Sequence, residues 1–221
     1  MEPLTTGNVR VEITADRQFG TNSYLVEDTD TGDRVVIDAN LEPDAMVELA
    51  GQRPGTVRAI LLTHTDVDHV AGLHRLREAF GDVPIAVAPA ERQVVTLGMP
   101  LRSEHQYPLP RFANVDNLTA GERYTTGSLS FEVLATPGHS PGGVTLKLHD
   151  LLFTGDALFA GGIGRYDFSN SNGRALLDGI RTQLFTQPDD EAAWSRPPDS
   201  CWAASGLRRV PAAQKRQPEG P

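Results

Sequence analysis

The feature that most constrains this chain is the stretch T-H-T-D-V-D-H at 63–69, which directly follows the apolar run V-R-A-I-L-L at 57–62. The apolar run predicts a buried strand, and imidazoles and carboxylates at its end would be costly to bury without partners. A divalent cation removes that cost, because both groups are ligands of zinc, iron and manganese. We therefore predict a metal site at this strand end. The candidate ligands are His64, Asp66, Asp68 and His69.

Two further strand ends carry residues of the same kinds. His139 lies in T-P-G-H-S-P-G-G (136–143), where Gly and Pro form a tight loop around one imidazole. Asp156 lies in F-T-G-D-A-L-F (153–159) and ends an apolar strand, where its carboxylate can bridge two cations. A single aspartate of this kind is typical of a turn. Its recurrence with histidines at three strand ends instead predicts one shared metal site.

A fourth loop, G-G-I-G-R-Y-D-F (161–168), contains both charged and aromatic residues. Arg165 and Asp167 form either a structural ion pair or a contact to the substrate. Arg165 and Tyr166 are therefore our candidate substrate-binding residues.

Composition excludes several classes of protein. The chain has 221 residues, 39% of them hydrophobic, which is enough for one domain with a sizeable core. Its net charge of −9 argues against nucleic acid or an anionic membrane as partner. The lone Cys201 excludes an internal disulfide, and the start M-E-P-L-T-T-G-N resembles no signal peptide. We expect a cytoplasmic protein with a small-molecule substrate, and its oligomeric state is left open.

The hydrophobic pattern predicts two halves rich in strands, each flanked by helices. No G-x-G-x-x-G or P-loop follows any strand, so nucleotide binding has no support. We predict an α+β fold, a four-layer αββα sandwich. The predicted strands are 9–13, 22–27, 33–38, 57–63, 84–88, 129–136, 143–148 and 150–156. The predicted helices are 42–50, 70–80, 88–97 and 174–185, with a long loop at 98–117.

The character of the chain changes after Phe185. The remaining segment is rich in proline, contains both tryptophans, and has almost no aliphatic periodicity. Such a segment cannot bury much apolar surface. We therefore predict a domain at 1–186 and a disordered tail at 187–221.

These motifs resemble those of the metallo-β-lactamase superfamily, and particularly its hydroxyacylglutathione hydrolases, the glyoxalase II-like thioesterases. The similarity covers residues 8–186, with L-L-T-H-T-D-V-D-H-V-A-G-L, A-T-P-G-H-S-P-G-G, F-T-G-D-A-L-F and G-R-Y-D-F in the family's order. The resemblance implies the fold, and it implies one or two divalent ions, zinc first, with iron or manganese as alternatives.

The resemblance also implies a distribution of ligands. The first ion would take His64, Asp66, His139 and Asp156, and the second would take Asp68, His69, Asp156 and a C-terminal histidine. Asp66 stands where the family pattern H-x-H-x-D-H has a histidine. A carboxylate can still bind zinc at about 2.0–2.2 Å. We expect it to make the first site harder and more anionic, which favours manganese or iron.

The C-terminal histidine of the family pattern is missing, because no histidine follows His149. The segment W-S-R-P-P (194–198) can be encoded as TGG-TCC-CGG-CCA-CCN, which reads Gly-Pro-Gly-His when it is shifted by one base. Our hypothesis is that a frameshifted tail begins at about residue 192. The nucleotide sequence tests it, since other codons at these positions would exclude it.

The resemblance implies a metal-dependent hydrolase that cleaves a thioester or ester by hydroxide attack. Asp68 would orient the hydroxide and so act as a catalytic residue, while the missing histidine would impair activity. One alternative is a mononuclear-iron enzyme similar to persulfide dioxygenases, which need only His64, His139 and Asp156. Another is a degenerate family member without catalysis.

Overall fold

The computed structural model describes residues 3–102, 109 and 111–187, together with two short strands further along the chain. A seven-stranded sheet forms the first half, with strands in the order β1 to β7. Strands β1 to β4 pair antiparallel, whereas β4 to β7 pair parallel. The strands are β1 Leu4–Thr6, β2 Val9–Ala15, β3 Asn22–Asp28, β4 Asp33–Ile37, β5 Thr56–Leu61, β6 Ile85–Val87 and β7 Val115–Asn117.

A second sheet packs against the first and has the order β15-β14-β11-β10-β9-β8. Its strands β8 to β11 form an antiparallel meander, and β14 joins the edge of β11 in parallel. A separate hairpin pairs β12 with β13. The strands are β8 Arg123–Thr126, β9 Leu129–Ala135, β10 Val144–Leu148, β11 Leu151–Phe153, β12 Leu158–Phe159, β13 Gly162–Ile163, β14 Ala192–Trp194 and β15 Arg208–Arg209.

Helices cover the outer faces of both sheets. A 3-10 turn, Pro89–Glu91, precedes α4, and a π-helical turn, Ile180–Leu184, continues α5. The α-helices are α1 Pro43–Gly51, α2 Val67–Val70, α3 Leu73–Phe80, α4 Arg92–Leu97 and α5 Gly173–Gly179. Among the described residues, none of these helices has the length and apolar character needed to cross a bilayer.

Strands β3 and β4 of the first sheet are buried on both faces, because their side chains alternate between two different cores. In β3, Tyr24 and Val26 face the second sheet, whereas Leu25 faces the helices. In β4, Val35 faces inward and Val36 faces outward. The nearly continuous apolar runs of the sequence are therefore explained by a sheet that is covered on both sides.

Three hydrophobic clusters separate the four layers and confirm the predicted αββα sandwich. The first lies between the sheets, where the rings of Phe153 and Tyr24 pack edge-to-face with their centres 5.2 Å apart. The second lies between the first sheet and helices α1, α3 and α4, and includes Met46 and Leu76. The third lies under α5 and is centred on the fully buried Leu176.

Two segments that were predicted to be irregular contain strands in the structure. The loop predicted at 98–117 ends in strand β7, since Val115–Asn117 pairs with β6 and buries Val115. Three residues are too short for a periodic signal. Likewise, β14 and β15 lie inside the tail predicted as disordered at 187–221, because β14 finds a partner in the edge of β11. For the other residues of the tail, which lie outside the described residues, disorder stays a prediction.

Candidate metal centre

The topology brings three strand ends to one edge of the sandwich. His64 follows β5 of the first sheet, while His139 and Asp156 follow β9 and β11 of the second. Strands β9 and β11 both run antiparallel to β10, so they end at the same edge. The Val144 amide at the start of β10 donates to the Thr63 carbonyl at 2.9 Å and joins the two sheets there.

The histidines and aspartates predicted from the sequence lie together and are buried. The His64 ring centre lies 4.0 Å from that of His69 and 5.0 Å from that of His139. The ligand atoms form two groups, each with all atoms within 4.8 Å of one another. One group is His64, Asp66 and His139, and the other is His64, His69 and Asp156.

Asp156 belongs to the second group and also lies close to the first. Its Oδ1 is 3.4 Å from His69 Nε2, and its Oδ2 is 3.6 Å from His139 Nε2. Each oxygen therefore faces a different histidine, so the carboxylate would be able to bridge two cations. The preceding Gly155 has a positive φ of 49°, and a side chain there would clash with Thr63.

Asp68 lies beside the second group. Its Oδ2 is 3.7 Å from His69 Nε2 and accepts a hydrogen bond from the buried Thr21 hydroxyl. Thr21 precedes β3 and is distant from Asp68 in sequence, so no sequence pattern pointed to it. The contact holds the Asp68 carboxylate toward the centre.

Hydrogen bonds orient all three histidines in the same way. The Nδ1 atom donates outward in each case: from His64 to Thr63 Oγ1 at 3.1 Å, from His69 to Asp38 Oδ2 at 2.9 Å, and from His139 to the Arg165 carbonyl at 2.7 Å. Each Nε2 then faces the centre. Metal-binding histidines are typically oriented through such bonds from the other ring nitrogen.

Two imidazole nitrogens of the centre, which lack a hydrogen-bond partner among the described residues, fit the binding of a divalent cation. The Nε2 atoms of His64 and His69 are buried, yet within the described part of the chain they make no hydrogen bond. Burial would lower the pKa of His69, but the charges of Asp38 and Asp68 raise it well above its ordinary value. Burial would raise the pKa of Asp156, but the His69 imidazole, whose Nε2 lies 3.4 Å from Asp156 Oδ1, holds it below its ordinary value. A bound cation would displace the protons that these pairs share.

Asp38 holds His69 and Thr63 on the side away from the centre, and our sequence reasoning missed it. Its carboxylate accepts hydrogen bonds from the Thr63 amide and hydroxyl, both at 2.8 Å, as well as from His69. Its positive φ of 60° is a conformation that aspartate tolerates better than most residues. The signal was present, since Asp38 ends the apolar strand V-V-I, as Asp156 ends L-L-F.

The candidate substrate residues lie at the rim of the centre. The Arg165 side chain is exposed and pairs with Asp167 at 2.9 and 2.8 Å, and Tyr166 is 55% exposed. The Arg165 carbonyl accepts a hydrogen bond from a candidate ligand, His139. Substrate binding by Arg165 and Tyr166 therefore stays a prediction. Of the other histidines, His74 is exposed on α3, and His149 is exposed in the turn after β10.

Glu91 is a second residue that sequence reasoning missed, and it joins two of the ligand loops. Its buried carboxylate accepts hydrogen bonds from the Thr65 amide and hydroxyl and from the Gly142 amide, all at 2.7 Å. Thr65 lies next to His64 and Asp66, whereas Gly142 belongs to the loop of His139. Glu91 thus sets the distance between the two loops.

We expect Glu91→Ala to destabilise the protein by about 2–5 kcal/mol, because two buried amides would lose their acceptor at about 1–3 kcal/mol each. Denaturant unfolding measures the loss. The control is Glu78→Ala, whose side chain is exposed on α3. Equal stability of the two variants would contradict this role of Glu91.

Comparisons with known proteins agree with the fold and the motifs. The model of the metallo-beta-lactamase superfamily matches residues 16–202. The chain is 35% identical to a probable metallo-hydrolase of Streptococcus pyogenes serotype M6, over 75% of this chain and 73% of that one. It is 30% identical to a hydroxyacylglutathione hydrolase of Haemophilus influenzae, over 82% of this chain and 87% of that one.

A solved structure, TTHA1623 in a di-iron-bound form, is 29% identical and superposes with a TM-score of 0.71, over 85% of this chain and 92% of that one. The family model covers well over half of the chain, including every strand end that carries a candidate ligand. The chain therefore belongs to the metallo-beta-lactamase superfamily.

Proposed function

We propose that the protein is a metal-dependent hydrolase that cleaves a thioester or ester in a small molecule. The observation that carries the proposal is the position of Asp156, whose two oxygens face histidines of two adjacent ligand groups. In two-metal hydrolytic sites, the cations lie about 3.5–4 Å apart and share such a ligand.

Two bound cations would polarise the substrate carbonyl and lower the pKa of a coordinated water to about 7. The residues of the chain then have separate tasks. Asp68, held by Thr21, provides a carboxylate beside the second group that would orient the attacking hydroxide. Asp38 holds His69 with Nε2 toward the centre. No Ser–His–Asp set is required for this reaction.

The relatives support the reaction class. The streptococcal relative is a probable metallo-hydrolase, and the relative from Haemophilus influenzae is a hydroxyacylglutathione hydrolase. Hydrolysis of a thioester such as a hydroxyacyl-glutathione is thus the first activity to test. We propose zinc as the ion, and the di-iron-bound neighbour makes iron the principal alternative.

We expect the two metal positions to differ in affinity. In the distribution of ligands that the family resemblance implies, the first position has His64, Asp66 and His139 besides the bridging Asp156, whereas the second has only Asp68 and His69 besides it. Fewer ligands should make the second position weaker. A zinc titration of the metal-free protein, followed by metal analysis after dialysis, should show one tight and one weak ion per chain. Two equally tight ions would contradict this prediction.

A second candidate function is oxidation of a persulfide by one iron. The observation that favours it is that His64, His139 and Asp156 lie together and form the two-histidine, one-carboxylate set of mononuclear iron enzymes. Thioester hydrolysis by the zinc-loaded protein is compared with oxygen uptake by the iron-loaded protein supplied with glutathione persulfide. Oxygen uptake without hydrolysis would replace the first proposal with the second.

A further inference from the structure

Arg102 is a buried arginine at the wall of the metal centre, and its side chain is only 2% exposed. Its guanidinium holds Asp66 with two parallel hydrogen bonds, from Nε to Oδ1 at 2.6 Å and from Nη2 to Oδ2 at 2.9 Å. This two-pronged contact is the strongest arrangement between arginine and a carboxylate. Within the H-x-H-x-D-H motif, residue 66 is the position at which this chain departs from the family pattern.

Further contacts fix the guanidinium from other directions. Nη2 also donates to the His139 carbonyl at 3.0 Å, and Nη1 donates to Asn170 Oδ1 at 2.8 Å. The guanidinium carbon lies 3.6 Å from the centre of the Phe168 ring. Arg102 therefore joins the Asp66 loop to the His139 loop, and its position does not depend on Asp66 alone.

The two oxygens of Asp66 have different surroundings. Oδ2 faces the histidines, at 2.9 Å from His139 Nε2 and 3.6 Å from His64 Nε2. Oδ1 accepts the hydrogen bond from Arg102 Nε at 2.6 Å and lies on the side of Arg102. The carboxylate thus presents one oxygen to the ligand group, as an imidazole presents one nitrogen.

We propose that Asp66 and Arg102 act as one metal-binding unit, neutral overall, in place of the imidazole that the family pattern has at this position. Arg102 is a positioning residue, because it holds Asp66 with a single oxygen inward and cancels its charge. The inference rests on the proposed metal site. It differs from our expectation that Asp66 makes the first site more anionic, since the arginine would return the net charge to that of a histidine site.

The proposal predicts that neither residue can be exchanged alone. Asp66→His would leave a buried guanidinium unpaired beside a cation, so the two positive charges would repel each other. Arg102→Met would leave a carboxylate with a free outer oxygen and an unbalanced charge. Changing both residues together places an imidazole at position 66 and leaves no unpaired guanidinium or carboxylate beside it. Residues in direct contact show such non-additive effects.

The test is a zinc titration of four proteins: the parent, Asp66→His, Arg102→Met and the double variant. We expect each single change to weaken zinc binding about tenfold or more, the size typical of losses in the outer shell of metal sites. The double variant should bind within a few-fold of the parent. An Asp66→His protein that binds as tightly as the parent, or a double variant that shows the summed losses, would overturn the proposal.

A matched control separates positioning from general stability. Arg34 is equally buried and pairs with Glu27 at 2.7 Å, away from the metal centre. Arg34→Met should lower the melting temperature without changing zinc affinity. If Arg102→Met behaves in the same way, Arg102 is only structural and the proposal fails. Arg102→Lys, which retains the charge without the paired bonds, replaces Arg102→Met if that protein does not fold, and it should bind zinc more weakly than the parent.

The outcomes also distinguish this proposal from the proposed function. A parent that binds zinc, without coupling between the two positions, overturns only the Asp66–Arg102 unit. A parent that binds zinc with coupling, but hydrolyses no thioester or ester, overturns only the hydrolase. A parent that binds neither zinc nor iron overturns both.

Discussion

Replacing Asp156 by alanine is expected to abolish binding at both metal positions and to lower hydrolysis about a thousandfold or more, because metal ions contribute several kcal/mol to such reactions. The carboxylate is shared, with one oxygen facing His69 and the other facing His139. Its loss also leaves positively charged or unpaired imidazoles next to one another in a buried site. Metal analysis of the purified variant and its thioesterase rate measure the two effects.

The control for this variant is Asp178→Ala, which removes an exposed carboxylate from α5. It should retain the metal content and the rate of the parent. If Asp156→Ala still holds one tight ion per chain, the carboxylate is not shared between two positions. A full rate in the same variant would exclude the metal centre as the site of hydrolysis.

Asp38→Asn is expected to weaken metal binding about 10–100-fold, the usual cost of losing a partner behind a metal ligand. The asparagine keeps the shape and the tolerance for positive φ. However, its amide group would place a donor against the Thr63 donors or against His69 Nδ1. We also expect a loss of about 2–4 kcal/mol in the free energy of unfolding, since buried donors would lack an acceptor. Zinc titration and denaturant unfolding check the two expectations.

Asp33→Asn is the matched control, because Asp33 begins the same strand and also accepts hydrogen bonds, from Arg58 at 2.7 Å and from the Ser128 amide at 2.9 Å. This change should cost some stability and leave zinc affinity unchanged. Equal losses of zinc affinity in the two variants would mean that Asp38 supports the fold in general, and not His69 in particular.

The residues nearest to the chemistry could be predicted from the sequence, because each ends a recognisable strand. His64, His139 and Asp156 lie far apart along the chain, yet every one follows an apolar run. Strands that end at a common edge bring such residues together. The four-layer arrangement also followed from the pattern, since two strand-rich halves are each flanked by helices and the apolar run at 57–62 suits a sheet that is covered on both faces.

The residues that support the centre could not be predicted in the same way. Arg102 follows an irregular segment, and Glu91 ends a 3-10 turn, so neither stands in a motif. Their importance comes from partners across the fold: Asp66 for Arg102, and Thr65 with Gly142 for Glu91. The effect of a buried charge on stability depends on its partner, and the packing of the folded chain determines which residue that partner is. Asp38 is the exception, because its position at a strand end was visible in the sequence and could have identified it.

The sequence by itself determined the kinds of ligand and the order in which strands deliver them, because hydrophobic periodicity and local turns depend on neighbours along the chain. Only the tertiary structure decided which oxygen of Asp156 faces which histidine, which nitrogen of each imidazole points inward, and that Asp66 is paired with Arg102. These outcomes depend on contacts between residues distant in sequence. Their energies arise from burial and from the hydrogen-bond partners that the folded chain supplies.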